Sequence, residues 1–226
     1  MVRADFNRSL NQLQEDLLSL GDLVERAIIK SMEALEERDL TASFEVVQDD
    51  ELINEKRFKL EEDSIDLIAT QQPLAIDLRT LIVVLHIAVE LERMGDYAEG
   101  IGKISLIIGD QPLFKPVEEL RHMSTHARDM LRRSLQALVD RDTAAARKVW
   151  DDDDRVDELY DEVCRELFAG MARDPQTIER ATHLLWVAHD LERMADRATN
   201  IAERVIFLVT GGQVDDMRLE DIEKSS

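Results

Sequence analysis

Leu85–Ile101 reads LHIAVELERMGDYAEGI, and one hundred residues later Leu185–Ile201 reads LWVAHDLERMADRATNI. Both stretches contain LERM, followed by Asp, Ala and Ile at matching places. A second repeat, at an offset of 103, pairs Ser31–Ile53 with Ser134–Val156. Self-similarity at a fixed spacing indicates a duplicated structural unit. The sequence therefore predicts two similar halves of about 100 residues each.

The apolar residues around the first repeat follow the seven-residue spacing of packed helices. The matching positions in the two halves are Val84, Ile87, Leu91, Met94, Ala98, Ile101, Ser105 and Ile108, and Leu184, Val187, Leu191, Met194, Ala198, Ile201, Val205 and Leu208. A second apolar face begins at Leu78 and Leu81 on the same helix. A helix with two apolar faces lies centrally or at a subunit contact, so we expect a homodimer.

Turn signals divide each half into three helices. Pro73 and Pro175 predict breaks, because the residue before a proline disfavours helical geometry. Thr41 and Thr143 each follow an Arg-Asp pair and are predicted N-caps. The segment 109–116 contains half of the four prolines and is the predicted linker between the halves.

These signals predict an all-α fold made of two tandem three-helix bundles related by the internal repeat. The expected bounds are residues 1–110 for the first bundle, 111–211 for the second, and 212–226 for a mobile acidic tail. Composition agrees, since 44% of the residues are apolar and only eight glycines and four prolines are present. Such a chain is globular rather than fibrous or disordered.

The charge and the apolar runs exclude several classes of protein. A net charge of −21 argues against a nucleic-acid backbone as the main ligand. The longest apolar run, Leu81–Val89, is far shorter than the roughly 20 residues that cross a bilayer, so no membrane insertion is expected. With the single cysteine Cys164 and no apolar targeting stretch at the N-terminus, a cytoplasmic protein is predicted.

The second apolar face becomes acidic toward its C-terminal end, and it does so in both halves. Glu92 and Asp96 follow Ala88, and Glu192 and Asp196 follow Ala188. Like charges four residues apart destabilise a helix, so a cation that offsets them is expected. Carboxylate oxygens are the ligands that hard metal ions prefer.

The second helix of each half supplies further oxygen ligands for the same sites. Asp50 and Asn54 lie beside its apolar stripe in the first half, and Asp153 and Asp157 do so in the second. The second half would then assemble four carboxylates, whereas the first would assemble three and an amide. Since affinity for a hard cation follows the number of charged oxygens, the second site is predicted to bind more tightly.

A competing interpretation needs no metal. Arg93, Arg193 and Arg197 are close enough in sequence to neutralise the carboxylates, in which case the clusters only fix the register of the helices. The sequence contains no phosphate-binding loop of the Gly-x-x-x-x-Gly-Lys type, no Gly-x-Ser-x-Gly and no His-Glu-x-x-His, so no motif predicts an enzyme.

Together these motifs resemble the PhoU family of phosphate-uptake regulators, and the resemblance covers most of the chain. It is carried by the two LERM stretches, by QQPLAIDLR at 71–79, by DELIN at 50–54 and by DRVD at 154–157. It implies two tandem three-helix bundles and metal-binding E/D-x-x-x-D motifs. Glu92-Asp96, Glu192-Asp196 and Asp153-Asp157 match that motif, whereas Asn54 departs from it. The implied metals are iron, manganese, magnesium or zinc.

The resemblance also implies a function. It points to a non-enzymatic negative regulator of phosphate uptake and phosphate-responsive signalling, peripheral to membrane complexes. The implied partners are the phosphate transporter ATPase subunit and a membrane sensor histidine kinase. The alternative is a metal-dependent helical enzyme or metal store that uses the same carboxylates.

Overall fold

A computed structural model describes residues 2–113 and 117–212 of the chain, and within these it contains no β-strand. The helices are α1 (Val2–Glu37), α2 (Leu40–Gln71), α3 (Ile76–Ile108), α4 (Val117–Asp140), α5 (Thr143–Asp151), α6 (Asp153–Arg173) and α7 (Ile178–Thr210), with a 3₁₀ turn at Pro175–Thr177. The all-α prediction is confirmed.

The helices form two three-helix bundles that lie side by side. In the first, α1, α2 and α3 pack on one another; in the second, α4, the α5–α6 pair and α7 do so. The bundles join through α3 with α7 and through α1 with α4. Arg79 Nη1 donates to the Leu208 carbonyl at 3.3 Å, and Arg197 Nη1 donates to Glu90 at 3.2 Å, so α3 and α7 run antiparallel.

The predicted apolar seams form the core. Leu91 and Met94 on α3 are fully buried, as are their counterparts on α7. The second face of α3 packs on α2, where Gly95 brings the backbone so close that a Cβ there would lie 3.0 Å from Ile53 Cδ1. Since α3 contacts α1, α2 and α7, it lies centrally within one chain, although Leu78 of its second face is exposed. Dimerisation stays a prediction.

The helix caps differ from those predicted. Asp39 and Asp142, rather than Thr41 and Thr143, cap α2 and α5, because each carboxylate accepts two backbone N–H groups of the first turn at 2.9 and 3.0 Å. Thr41 and Thr143 lie inside the first turn of these helices, and the backbone N–H of Thr41 donates to Asp39. The residue before each Asp is an arginine with positive φ, which ends the preceding helix.

The second bundle has a break where the sequence predicted a continuous helix. α5 ends at Asp151, Asp152 has φ −82° and ψ −6°, and α6 begins at Asp153. Aspartate has poor helix propensity, and four aspartates stand in a row here. The corresponding residues of α2, 48–51, read Gln-Asp-Asp-Glu and continue as helix without interruption. The ion pair of Asp152 with Arg133, at 2.6 Å, holds the break against α4.

The remaining boundaries agree with the sequence. α2 ends before Pro73, Pro175 opens the 3₁₀ turn, and Gly211 ends α7 with φ 79°. Residues 114–116 of the linker and the predicted mobile tail from residue 213 onward lie outside the described residues. Among the described helices, none is both long and apolar enough to cross a membrane.

Candidate functional site: two carboxylate clusters

The first bundle brings its four predicted site residues together. Asp50 and Asn54 lie on α2, and Glu92 and Asp96 lie on the adjoining face of α3. Asn54 Nδ2 donates to Asp50 Oδ2 at 2.8 Å. The other oxygen, Asp50 Oδ1, is buried and has no hydrogen-bond partner among the described residues. This cluster therefore contains one carboxylate oxygen that is neither solvated nor paired.

The electrostatics of this cluster are unfavourable for negative charge. Burial, and then repulsion from Glu99 and Asp96, raise the pKa of Asp50 to about 6. Burial is also the main reason that the pKa values of Glu92 and Asp96 are raised. Arg57 lowers the pKa of Glu92, but less than burial raises it. The cluster thus carries more negative charge than its own cations offset.

Sequence reasoning missed Glu99, which lies one heptad after Glu92 on the same face of α3. Glu99 is the strongest charged neighbour of both Asp50 and Asp96. It also forms an ion pair with Lys103. The seven-residue spacing from Glu92 was the available signal.

The second bundle assembles the equivalent four carboxylates. Asp153 and Asp157 begin α6, and Glu192 and Asp196 face them from α7. Burial and then Asp196 raise the pKa of Asp153 to about 6. The pKa of Asp157 is raised by burial and then by Glu192. The predicted juxtaposition of the two acidic helix edges is present in both halves.

An arginine distinguishes the second cluster from the first. Arg193 pairs with Glu192 and also with Asp196, the latter at 2.9 Å. The neutralisation predicted as the alternative therefore occurs for Arg193. Arg197 instead crosses to Glu90 on α3, and Arg93 is exposed and forms no ion pair within the described residues.

The donor atoms of these clusters suit a metal ion, but their arrangement does not hold one. Carboxylate oxygens suit Mg²⁺ or Mn²⁺. In residues 2–113 and 117–212, however, no group of three or more His, Cys, Asp or Glu side chains is arranged to hold a metal ion. In the second cluster a metal ion would have to replace Arg193. The side chains are not in place to coordinate, and metal binding stays a prediction.

A further perturbed carboxylate lies in the contact between the bundles. Asp190 on α7 is half-buried, and burial alone raises its pKa to about 7. Its Oδ2 lies 2.9 Å from where a Cβ on Gly100 of α3 would be. Sequence reasoning missed this residue, because its burial depends on how α3 and α7 pack.

Comparison with known proteins agrees with the duplicated helical architecture. The family model described as PhoU domain matches residues 17–105 and again 120–205. A "phosphate-specific transport system accessory protein PhoU homolog" of Clostridium acetobutylicum is 36% identical over 95% of this chain and 99% of its own length. The one from Aquifex aeolicus is 36% identical over 90% of this chain and 92% of its own.

Solved structures show the same fold. The crystal structure of PhoU from Pseudomonas aeruginosa superposes with a TM-score of 0.88 at 32% identity, over 92% of this chain and all of that one. The "phosphate transport system regulatory protein PhoU" from Streptococcus pneumoniae superposes with a TM-score of 0.86 at 31% identity, over 92% of this chain and 99% of that one. The two matched domains fall in the two bundles that carry the carboxylate clusters. The chain therefore belongs to the PhoU family.

Proposed function

We propose that this chain is a non-enzymatic negative regulator of phosphate uptake and of phosphate-responsive signalling, and that it acts in the cytoplasm by docking onto other proteins. The partners proposed are the phosphate transporter ATPase subunit and the membrane sensor histidine kinase. Two relatives support this proposal. One is named as an accessory protein of phosphate transport and is 36% identical to this chain. The other is named as a regulatory protein of phosphate transport and superposes with a TM-score of 0.86.

The observation that carries the docking proposal is an exposed apolar stripe on α2. The stripe consists of three large side chains, Phe44, Phe58 and Ile65, which are 55%, 57% and 53% exposed. Phe58 lies fourteen residues after Phe44, and Ile65 seven residues after Phe58, so all three lie on one side of the helix. Among the described elements α2 packs only on α1 and α3, so this side faces solvent. Aligned large apolar side chains on an otherwise strongly charged surface are typical of protein interaction sites.

We propose that this stripe binds the ATPase subunit. High phosphate would favour a complex that restrains uptake and keeps the sensor kinase off. Direct sensing of phosphate by this chain fits poorly with a net charge of −21, because an anion needs a cationic site or free helix N-termini.

A binding measurement with the purified ATPase subunit tests this function. The full-length chain should bind the subunit, and Phe58→Ser with Ile65→Ser should weaken binding at least tenfold. Val139→Ser is the matched control, since Val139 is 53% exposed but lies on α4 of the other bundle. Absence of binding by the parent chain, with phosphate present or absent, would overturn the proposed function. Equal binding by the stripe variant would overturn the assignment of the surface.

A further inference from the structure

A cavity of about 240 Å³ lies between α1 and α2 of the first bundle. Apolar side chains form most of its wall, namely Leu23 and Ala27 on α1 and Val46, Leu52 and Ile53 on α2. Val46 and Ile53 belong to the core, whereas Leu52 is 51% exposed. The cavity therefore extends from the surface of the bundle to its core.

The helices that form the cavity meet in the same way in the second bundle. Lys30 on α1 lies at the rim of the cavity and pairs with Asp49 on α2 at 2.9 Å. At the repeat offset of 103 residues their counterparts are Arg133 on α4 and Asp152 at the α5–α6 break, which pair at 2.6 Å. The two bundles can therefore be compared position by position at this level.

The first bundle has a smaller side chain at one of these positions. Ala27 matches Met130, which is buried with an exposure of 1%. Methionine is flexible and fills irregular gaps in a core, so the framework that Met130 packs in the second bundle leaves room beside Ala27 in the first. The second bundle thus shows which kind of group fits the cavity, a flexible apolar side chain.

The charges around the cavity also differ from their counterparts. Arg26 stands where the second bundle has Asp129, and Leu52 stands where it has Arg155. Arg26 lines the cavity, is exposed, and makes no hydrogen bond or ion pair with any of the described residues. A guanidinium without a partner beside an apolar cavity suits an occupant that joins an apolar group to a carboxylate.

We propose that this cavity binds a large apolar side chain, such as methionine, of the protein that docks on the α2 stripe, and that Arg26 pairs with an acidic residue next to that side chain. Leu52 connects the cavity with the stripe, since it lies between Phe44 and Phe58 along α2, about 80° round the helix from Phe44. An apolar anchor in a pocket with a polar rim is typical of the centre of a protein interface. The inference rests on the proposed function in that the occupant belongs to the docked protein.

Small probes test the cavity without a protein partner. N-acetyl-methionyl-glutamyl amide, with a free side-chain carboxylate, is titrated into ¹⁵N-labelled full-length chain in the presence of a chelator. The alanyl-glutamyl probe lacks the large apolar side chain, and the methionyl-glutaminyl probe lacks the charge. The amide resonance of Leu52 should shift with the methionyl-glutamyl probe, and both control probes should bind at least fivefold more weakly.

Two variants separate the apolar contact from the charge. Ala27→Met fills the cavity with the side chain that the second bundle has there, so it should weaken binding of the methionyl-glutamyl probe at least tenfold. Arg26→Gln should reduce the affinity for this probe to that for the methionyl-glutaminyl probe. Arg8→Gln is the matched control, since it removes the same charge from an exposed arginine of the same helix, and it should leave both affinities unchanged. Circular dichroism confirms that each variant is folded.

The proposal is overturned if the Leu52 resonance does not respond in the parent chain, if Ala27→Met binds the probe as the parent does, or if the alanyl probe binds as tightly as the methionyl probe. Ala27→Met should also weaken binding of the ATPase subunit at least tenfold, and binding equal to that of the parent would likewise overturn the proposal. Failure of the proposed function would instead appear as absence of subunit binding by the parent chain while the probe response is intact.

Discussion

Replacing Arg193 with glutamine tests whether the second carboxylate cluster is held together by its own arginine. In the parent chain this guanidinium pairs with Glu192 and Asp196, whose side chains are 13% and 28% exposed. Glutamine keeps much of the length of the side chain but removes the charge. Two carboxylates one helical turn apart would then repel each other, with only the weaker attraction of Arg197 to offset the repulsion.

The expected loss of stability follows from these contacts. Hydrogen bonds to charged groups contribute about 1.5–3 kcal/mol when buried. Because the Arg193 side chain is 36% exposed, solvent screening reduces this to about 1 kcal/mol. For a chain of this size, about 1 kcal/mol lowers the melting temperature by about 2–4 °C. We expect this decrease in EDTA, measured by circular dichroism.

The repeat supplies the control. Arg93 is the counterpart of Arg193 and forms no ion pair within the described residues, so Arg93→Gln should change the melting temperature by no more than a few tenths of this amount. Adding Mn²⁺ should raise the melting temperature of Arg193→Gln more than that of the parent, because the freed carboxylates can then take a cation. If Arg193→Gln and Arg93→Gln melt alike in EDTA, Arg193 does not stabilise the cluster.

Two other predictions concern the same clusters. In EDTA, Asp50→Asn should be more stable than the parent above about pH 7 by about 1 kcal/mol after screening, with the difference vanishing near pH 4. The sign follows because folding favours the protonated form of Asp50, whose pKa is raised to about 6, so the folded chain loses stability as the pH rises through that value. Urea unfolding across this pH range measures the difference in stability between the variant and the parent. A difference that does not change with pH would contradict the prediction. Glu192→Gln with Asp196→Asn should remove the tightest class of bound Mn²⁺ or iron, whereas Glu92→Gln with Asp96→Asn should remove only weaker binding. Calorimetry that gives equal affinities, or no metal response in the parent, would leave the clusters with a structural role alone.

Much of the fold was predictable because helix formation and duplication leave local signals. Buried positions such as Leu91 and Leu191 recur at helical spacing. A helix ends two residues before Pro73 and another two residues before Pro175. The acidic edges were predictable for the same reason, since residues four apart share one face of a helix. The α5–α6 break was missed because a run of four aspartates is also compatible with a solvated helix face, and the ion pair of Asp152 with Arg133 at the break depends on how α4 packs.

The sequence alone determined the duplicated all-α architecture and which carboxylates share one edge of a helix, because both follow from residues that are neighbours along a helix. Only the tertiary structure decided how the charges are shared between bundles. Arg193 and Arg197 are four residues apart, yet one pairs within its own helix and the other crosses to Glu90 on α3. The burial of Asp190 against Gly100 was decided in the same way. These contacts depend on the antiparallel packing of two helices about a hundred residues apart in sequence, and no local spacing encodes that register.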